Sequence, residues 1–131
     1  MEKTDIIIPV YKPDNTFLTL VEKLEQQSVP VNRIIIMNTE QKYFDRLIYG
    51  TSFQKDHHSV FVRHLSKREF DHGKTRNRGV QYSDAPYFIM MTQDAVPVDR
   101  YLVERLLTQL RREKVAVAYA RQLAPEGSSE I

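Results

Sequence analysis

Two short runs, Ile6-Ile7-Ile8-Pro9-Val10 and Ile34-Ile35-Ile36-Met37, are apolar at every position. Neither is long enough for a helix, and neither alternates as a strand with one wet face does. Continuous runs of this kind suit strands covered on both sides, the situation in a parallel sheet carrying helices on each face. The segments around them supply those helices. Phe17, Leu20, Val21 and Leu24 fall at i, i+3, i+4 and i+7, with Asp14 or Asn15 available as a cap. Pro30 breaks that pattern. Phe44, Leu47 and Ile48 predict a short second helix, ended by Gly50. Val60-Phe61-Val62 reads as a third strand, residues 75–82 as a helix entered through Gly73, and residues 87–92 as a fourth strand. Asp99 can cap a long helix with Leu102, Leu106 and Leu110 in one stripe, supported by Val103 and Leu107. Residues 115–119 complete the alternation as a fifth strand. The expectation is α/β: a three-layer α/β/α sandwich with a mostly parallel sheet and right-handed crossovers.

In such sheets ligands bind outside the carboxyl ends of the strands. Tyr11, Asn38 and Asp94 each close a predicted strand, so they should lie along one rim. Upstream of Asp94 runs Phe70-Asp71-His72-Gly73-Lys74-Thr75-Arg76-Asn77-Arg78-Gly79, dense in cations. One description of it is a loop entering a helix, whose free N–H groups meet phosphate oxygens while Lys74 and Arg76 add charge and Asn77 a directional hydrogen bond. The other is a solvated polar turn, which by pattern alone is the simpler description. Asp94 likewise fits a divalent-cation ligand or a turn before Pro97. The usual nucleotide fingerprints are missing. Gly73-Lys74-Thr75 lacks the earlier glycine of a P-loop, where Arg68 stands, and there is no G-x-G-x-x-G. His57, His58, His64 and His72 show no zinc spacing; His57-His58 should be exposed, and His72 could touch a ligand or make a structural hydrogen bond.

Composition sets outer limits. The 131 residues make one domain with an ordinary core, and a net charge of +2 gives no argument for nonspecific nucleic-acid binding. With no cysteine, disulfides and thiol chemistry are excluded. The chain enters its first strand at once, leaving no room for a signal peptide, and no apolar run approaches the roughly 20 residues that span a bilayer. A cytoplasmic location is expected. Residues 1–121 form the expected domain, and 122–131 a polar tail.

Taken in order, four segments resemble the nucleotide-binding half of family-2 glycosyltransferases, within them the bacterial rhamnosyltransferase-like group. They are Ile6-Ile7-Ile8-Pro9-Val10-Tyr11; the basic segment Phe70 to Gly79 quoted above; Tyr87-Phe88-Ile89-Met90-Met91-Thr92-Gln93-Asp94-Ala95-Val96-Pro97; and Tyr119-Ala120-Arg121-Gln122-Leu123. The resemblance implies the GT-A fold, here truncated, and the donor-binding part of an inverting enzyme. The sugar, rhamnose, would move from a nucleoside diphosphate, dTDP favoured, to a saccharide or lipid-linked saccharide acceptor in cell-surface polysaccharide synthesis. It places Pro9, Val10 and Tyr11 beside base and ribose, with Asn38 and Glu40 near the nucleoside. Asn38 stands where the family has aspartate. Asp71, Lys74, Arg76, Asn77 and Gln93 join the nucleotide site by the same likeness. Thr92-Gln93-Asp94 matches the Asp-x-Asp metal motif with only its second aspartate, so Asp94 is the implied ligand of Mg²⁺ or Mn²⁺. The rhamnosyltransferase-like group commonly reads Thr-Gln-Asp there. The acceptor-activating base has no counterpart among these residues and is expected in an absent acceptor half, with the whole enzyme cytoplasmic or peripheral to the inner membrane face.

Two other classes compete. A receiver-like signalling module needs an acidic pair after the first strand and an aspartate after the third, where Pro9-Val10-Tyr11 and Arg63-His64 stand instead. An RNA-binding surface would use Lys67, Arg68, Lys74, Arg76 and Arg78, with steeply salt-dependent affinity.

Overall fold

The computed structural model describes residues 3–49, 51, 53 and 59–113, excepting the side chains at 72 and 110–113. The two isoleucine runs form β1 (Thr4–Tyr11) and β2 (Arg33–Thr39), followed by β3 (Val60–Leu65) and β4 (Tyr87–Met90). Helices α1 (Asn15–Glu25), α2 (Gln41–Ile48) and α3 (His72–Gln81) connect them in turn, and α4 (Leu102–Glu113) follows β4. All four strands pair in parallel, in the order β3-β2-β1-β4. The expected fifth strand, the fourth resemblance segment and the polar tail lie outside the described residues, as do Gly50 and His57-His58.

That order dictates the layers. The chain steps outward from β1 to β2 to β3, then returns past both to place β4 on the other side of β1. Right-handed crossovers in opposite directions put their helices on opposite faces, and the packing agrees. Ile6, Ile8, Val10, Ile34 and Ile36 meet Phe17, Leu20 and Leu24 of α1, Phe44 of α2, and Val103 and Leu107 of α4. The alternate strand residues Ile7, Ile35, Met37 and Leu65 face the other way, against Val80 and Tyr82 at the end of α3. All six isoleucines of the two runs are fully buried, each stabilising the fold by about 1.5–3 kcal/mol over an exposed position. Gly79 permits the close seat of α3. A Cβ there would stand 2.5 Å from Cγ2 of Ile7.

Local boundaries differ from the periodic reading, for identifiable reasons. Asp14 caps α1, its carboxylate accepting from the Thr16 N–H at 3.0 Å. α3 begins three residues earlier than its apolar pattern suggests, because Asp71 is its cap. β4 stops at Met90, since Thr92 to Ala95 close a turn through Ala95 N–H to Thr92 O at 3.2 Å. Asp99 takes the Tyr101 N–H one turn before α4, and Gln27 completes that start. Its Oε1 accepts from Val103 N–H while its Nε2 donates to Asp99 O and Lys23 O, each at 3.1 Å. The buried stripe of α4 runs through Val103, Leu106 and Leu107, with Leu102 only half-buried. Phe88 of β4 is 44% exposed. At the amino edge of the sheet the fully buried Asp5 of β1 accepts from Asn32 Nδ2 at 2.8 Å and Ser83 Oγ at 2.6 Å, tying the strand to two connections.

Candidate functional site

Because the four strands of the described residues are parallel, their carboxyl ends share one edge. The direction of chain progression reverses between β1 and β4, and the crevice outside such a switch point is where open α/β sheets hold ligands. Tyr11 ends β1 there, and Thr92-Gln93-Asp94 follows β4. The two are joined directly: the Tyr11 backbone N–H donates to Gln93 Oε1 at 2.7 Å across 82 positions of sequence. Asp94 projects from the same turn. It is exposed, and its Oδ1 accepts from the Thr92 hydroxyl at 3.1 Å. Pro9 is half-buried and Val10 buried, so at the end of β1 Tyr11, 37% exposed, offers the accessible side chain.

Two non-glycine residues with positive φ mark this rim: Lys12 after β1 (φ 47°) and Glu40 after β2 (φ 65°). Such conformations cost on the order of 1 kcal/mol and persist where surrounding contacts over-determine them. For Glu40 those contacts include its N–H to Leu65 O at 2.7 Å. Beside them the Tyr11 and Tyr43 rings meet edge-on with centroids 6.0 Å apart. Lys12 Nζ lies 5.2 Å and 5.0 Å from those two centroids, and Lys42 and Arg46 also flank Tyr43. The result is an aromatic patch under positive charge.

Below it the register aligns Val10, Asn38 and His64 across three strands. Asn38 is fully buried, with Nδ2 3.1 Å from His64 Nδ1. Its Oδ1 and the neighbouring Thr39 hydroxyl are buried with no hydrogen-bond partner among the described residues. Burial lowers the His64 pKa from the ordinary 6.5, against the opposing field of Asp45. Phe44 meets the imidazole edge-on at 5.4 Å.

The basic segment enters the rim at the amino end of α3, where its N–H groups are partly committed. Asp71 Oδ1 accepts from the Lys74 N–H at 3.0 Å and Asp71 O from the Thr75 N–H at 2.7 Å. Asp71 therefore serves first as a helix cap, and the helix start offers fewer free N–H groups than the phosphate-cradle reading supposes. Lys74 and Asn77 are exposed and Arg76 half-buried, while Arg78 pairs with Glu69 at 3.5 Å. Backbone and side-chain hydrogen bonds from Ser66 hold the Glu69 carboxyl below its usual range.

No cluster of three acidic or imidazole groups capable of caging a metal occurs among the described residues. One exposed carboxylate with a hydroxyl beside it fits a different mode, in which Mg²⁺ or Mn²⁺ takes few protein ligands and completes its shell from ligand phosphates and water. Sequence patterning singled out the three strand ends and the basic segment but missed Tyr43 and the part played by His64. The strand-end rule, applied to β3, would have drawn attention to His64.

Comparison with known proteins bears on the whole arrangement. The sequence model of the family described as glycosyl transferase family 2 matches residues 5–130. The chain is 25% identical over 130 residues to the O-antigen chain rhamnosyltransferase RfbN of Salmonella typhimurium, covering 98% of this chain and 40% of that protein. Among solved structures, S. aureus TarS 1–349 superposes with a TM-score of 0.65 at 14% identity, over 86% of this chain and 33% of that one. Its complex with UDP-GlcNAc gives a TM-score of 0.62 at 15% identity, over 86% and 32%.

Proposed function

The chain belongs to glycosyl transferase family 2, and from that premise we propose that the crevice between β1 and β4 binds the nucleoside diphosphate of a sugar donor. The fold is of the GT-A, nucleotide-diphospho-sugar transferase type. The chain spans about 40% of the curated relative's length, so it is read as the donor-binding part of a larger enzyme. The relative's name, a rhamnosyltransferase, supports rhamnose as the transferred sugar and dTDP as its carrier. The acceptor would be a saccharide, free or lipid-linked, in a bacterial surface polysaccharide, and the enzyme would work in the cytoplasm or at the inner membrane face.

The observation that carries the reading is the Tyr11–Gln93 hydrogen bond at the switch point, with Asp94 beside it. Each residue then has a distinct task. Tyr11 and Tyr43 offer flat surfaces to the base, Asn38 and Glu40 border the nucleoside, and Lys74, Arg76 and Asn77 face the diphosphate. Gln93 holds the β4 turn against β1, fixing where Asp94 stands. Asp94 would hold a divalent cation, which when bound neutralises charge developing on the departing diphosphate. Transfer displaces that diphosphate from the anomeric carbon by an acceptor oxygen on the opposite face, with inversion. The base that takes the acceptor's proton is assigned to the part of the relatives that this chain does not span.

Thermal unfolding tests the reading. With Mn²⁺ and dTDP or UDP at about 100 times Kd, stability should rise by about 2.7 kcal/mol. No shift with any nucleoside diphosphate overturns it.

A further inference from the structure

We infer that Asp5 and Arg33, at the edge away from the crevice, are positioning residues for the donor diphosphate. Their bonds to Ser83 and Tyr82 set how far α3 reaches along the sheet, and with it where Lys74, Arg76 and Asn77 stand. The inference rests on the donor-binding reading above.

Three contacts seat α3 on the sheet. Just past its carboxyl end the Ser83 hydroxyl donates to the fully buried Asp5 of β1 at 2.6 Å. Beside it the Arg33 guanidinium of β2 donates to Tyr82 O and lies over the Phe61 ring, 5.8 Å from its centroid. Midway along the helix, Gly79 rests on Ile7 so closely that a Cβ would stand 2.5 Å from Cγ2. Strand and helix advance in matching steps. Asp5 and Ile7 are two residues apart on one face of β1, about 6.6 Å, while Ser83 and Gly79 are four apart, about 6 Å of helical rise. The next such step brings Thr75, buried at 1% exposure, level with Pro9. A further one brings the cap Asp71 level with Tyr11, where β1 ends. Lys74, Arg76 and Asn77 therefore occupy the turns on either side of the Pro9 level. The helix between is continuous from the Asp71 cap to the Tyr82 N–H bonds to Arg78 O and Gly79 O, so its foot and its rim move together.

The chemistry of the foot suits that task. Burying a carboxylate costs desolvation free energy that neutral donors only partly return, so the pair stabilises less than apolar packing of the same volume. Its advantage is direction. Apolar contacts let a helix slide by a fraction of a turn, whereas a hydrogen bond has one length and one line. The hydroxyl is itself aimed: Ser83 Oγ accepts from the Ala85 N–H at 3.4 Å and gives its proton to Asp5 Oδ2. Asn32 Nδ2 holds the other carboxylate oxygen at 2.8 Å. The foot thus ties α3 to β1 and, through Arg33, to β2, the two strands whose carboxyl ends border the crevice.

Calorimetric titration with UDP and with UMP, each with Mn²⁺, tests the inference. The ratio of the two affinities isolates what the second phosphate gains, and a mere loss of folded protein lowers both equally. Ser83→Ala should lower the UDP-to-UMP ratio by about tenfold against wild type, the scale of one hydrogen bond to a charged group, with UMP affinity nearly unchanged. Ser83→Thr keeps the hydroxyl and should keep the wild-type ratio. Arg33→Met, which removes the bond to Tyr82 O, should lower the ratio as Ser83→Ala does. An unchanged ratio in Ser83→Ala and Arg33→Met overturns the inference while leaving donor binding intact. Failure of the wild-type chain to bind UDP overturns the donor-binding reading itself. Should Ser83→Ala fail to fold, the ratio in Arg33→Met decides.

Discussion

Asp94 combines an exposed carboxylate with a fixed position, and its substitution separates metal binding from nucleotide binding. Asp94→Ala should leave the unfolding midpoint of the free chain near that of wild type, since the residue is exposed and its carboxylate accepts from the Thr92 hydroxyl alone among the described residues. The added stabilisation by Mn²⁺ in the presence of dTDP should disappear, as read by thermal unfolding with and without metal. Two glycines within α3 make a second contrast. Gly79→Ala pushes a methyl group to 2.5 Å from the buried Ile7 Cγ2 and should cost about 1–3 kcal/mol by denaturant unfolding. Gly73→Ala meets nothing nearer than Asp71 Oδ1 at 3.7 Å and should be neutral, or stabilising by up to about 1 kcal/mol through helix propensity. His64 carries the pH dependence. Its folded pKa lies below the 6.5 of the free group, so the unfolded chain binds the proton more readily. Its contribution to stability is complete above pH 6.5 and declines as pH falls toward the folded value. His64→Gln should flatten that part of the stability–pH curve.

At the scale of elements, the sheet was legible because β1 and β2 are buried on both faces and their sequences show it position by position. The helix α1 was equally plain, its four buried residues being those of its periodic stripe. The helix starts that differ are those set by side chains. The start of α3 was obscured by two glycines that break its apolar pattern, although an aspartate three residues before Lys74 is a capping signal. The start of α4 depends on Gln27, whose two bonds to that segment bridge 72 and 76 positions and leave no local trace. Asn38–His64 was hidden for the same reason, being a pairing between strands rather than a spacing along one. Gln27→Ala tests the joint. It strands the buried Val103 N–H and should cost about 1–3 kcal/mol, with amide exchange accelerating first in the opening turn of α4. If exchange there is unchanged, Gln27 does not hold that helix.

For the molecule as a whole, strand order assembles a site from residues far apart in sequence. Reversal of direction after β3 brings the turn after β4 against the end of β1, so Tyr11, Asn38 and Asp94 occupy one edge as strand-end reasoning expected. The opposite edge is fastened by Asp5 to Asn32 and Ser83. The chain belongs to glycosyl transferase family 2 and has the GT-A architecture. Hydrogen–deuterium exchange on the chain with and without dTDP and Mn²⁺ addresses the central claim most directly. Protection should appear together at Tyr11–Lys12, Asn38–Glu40 and Thr92–Asp94, the three strand ends of the crevice. Protection confined to the opposite edge around Asn32 and Ser83, or none at saturating nucleotide, would contradict it.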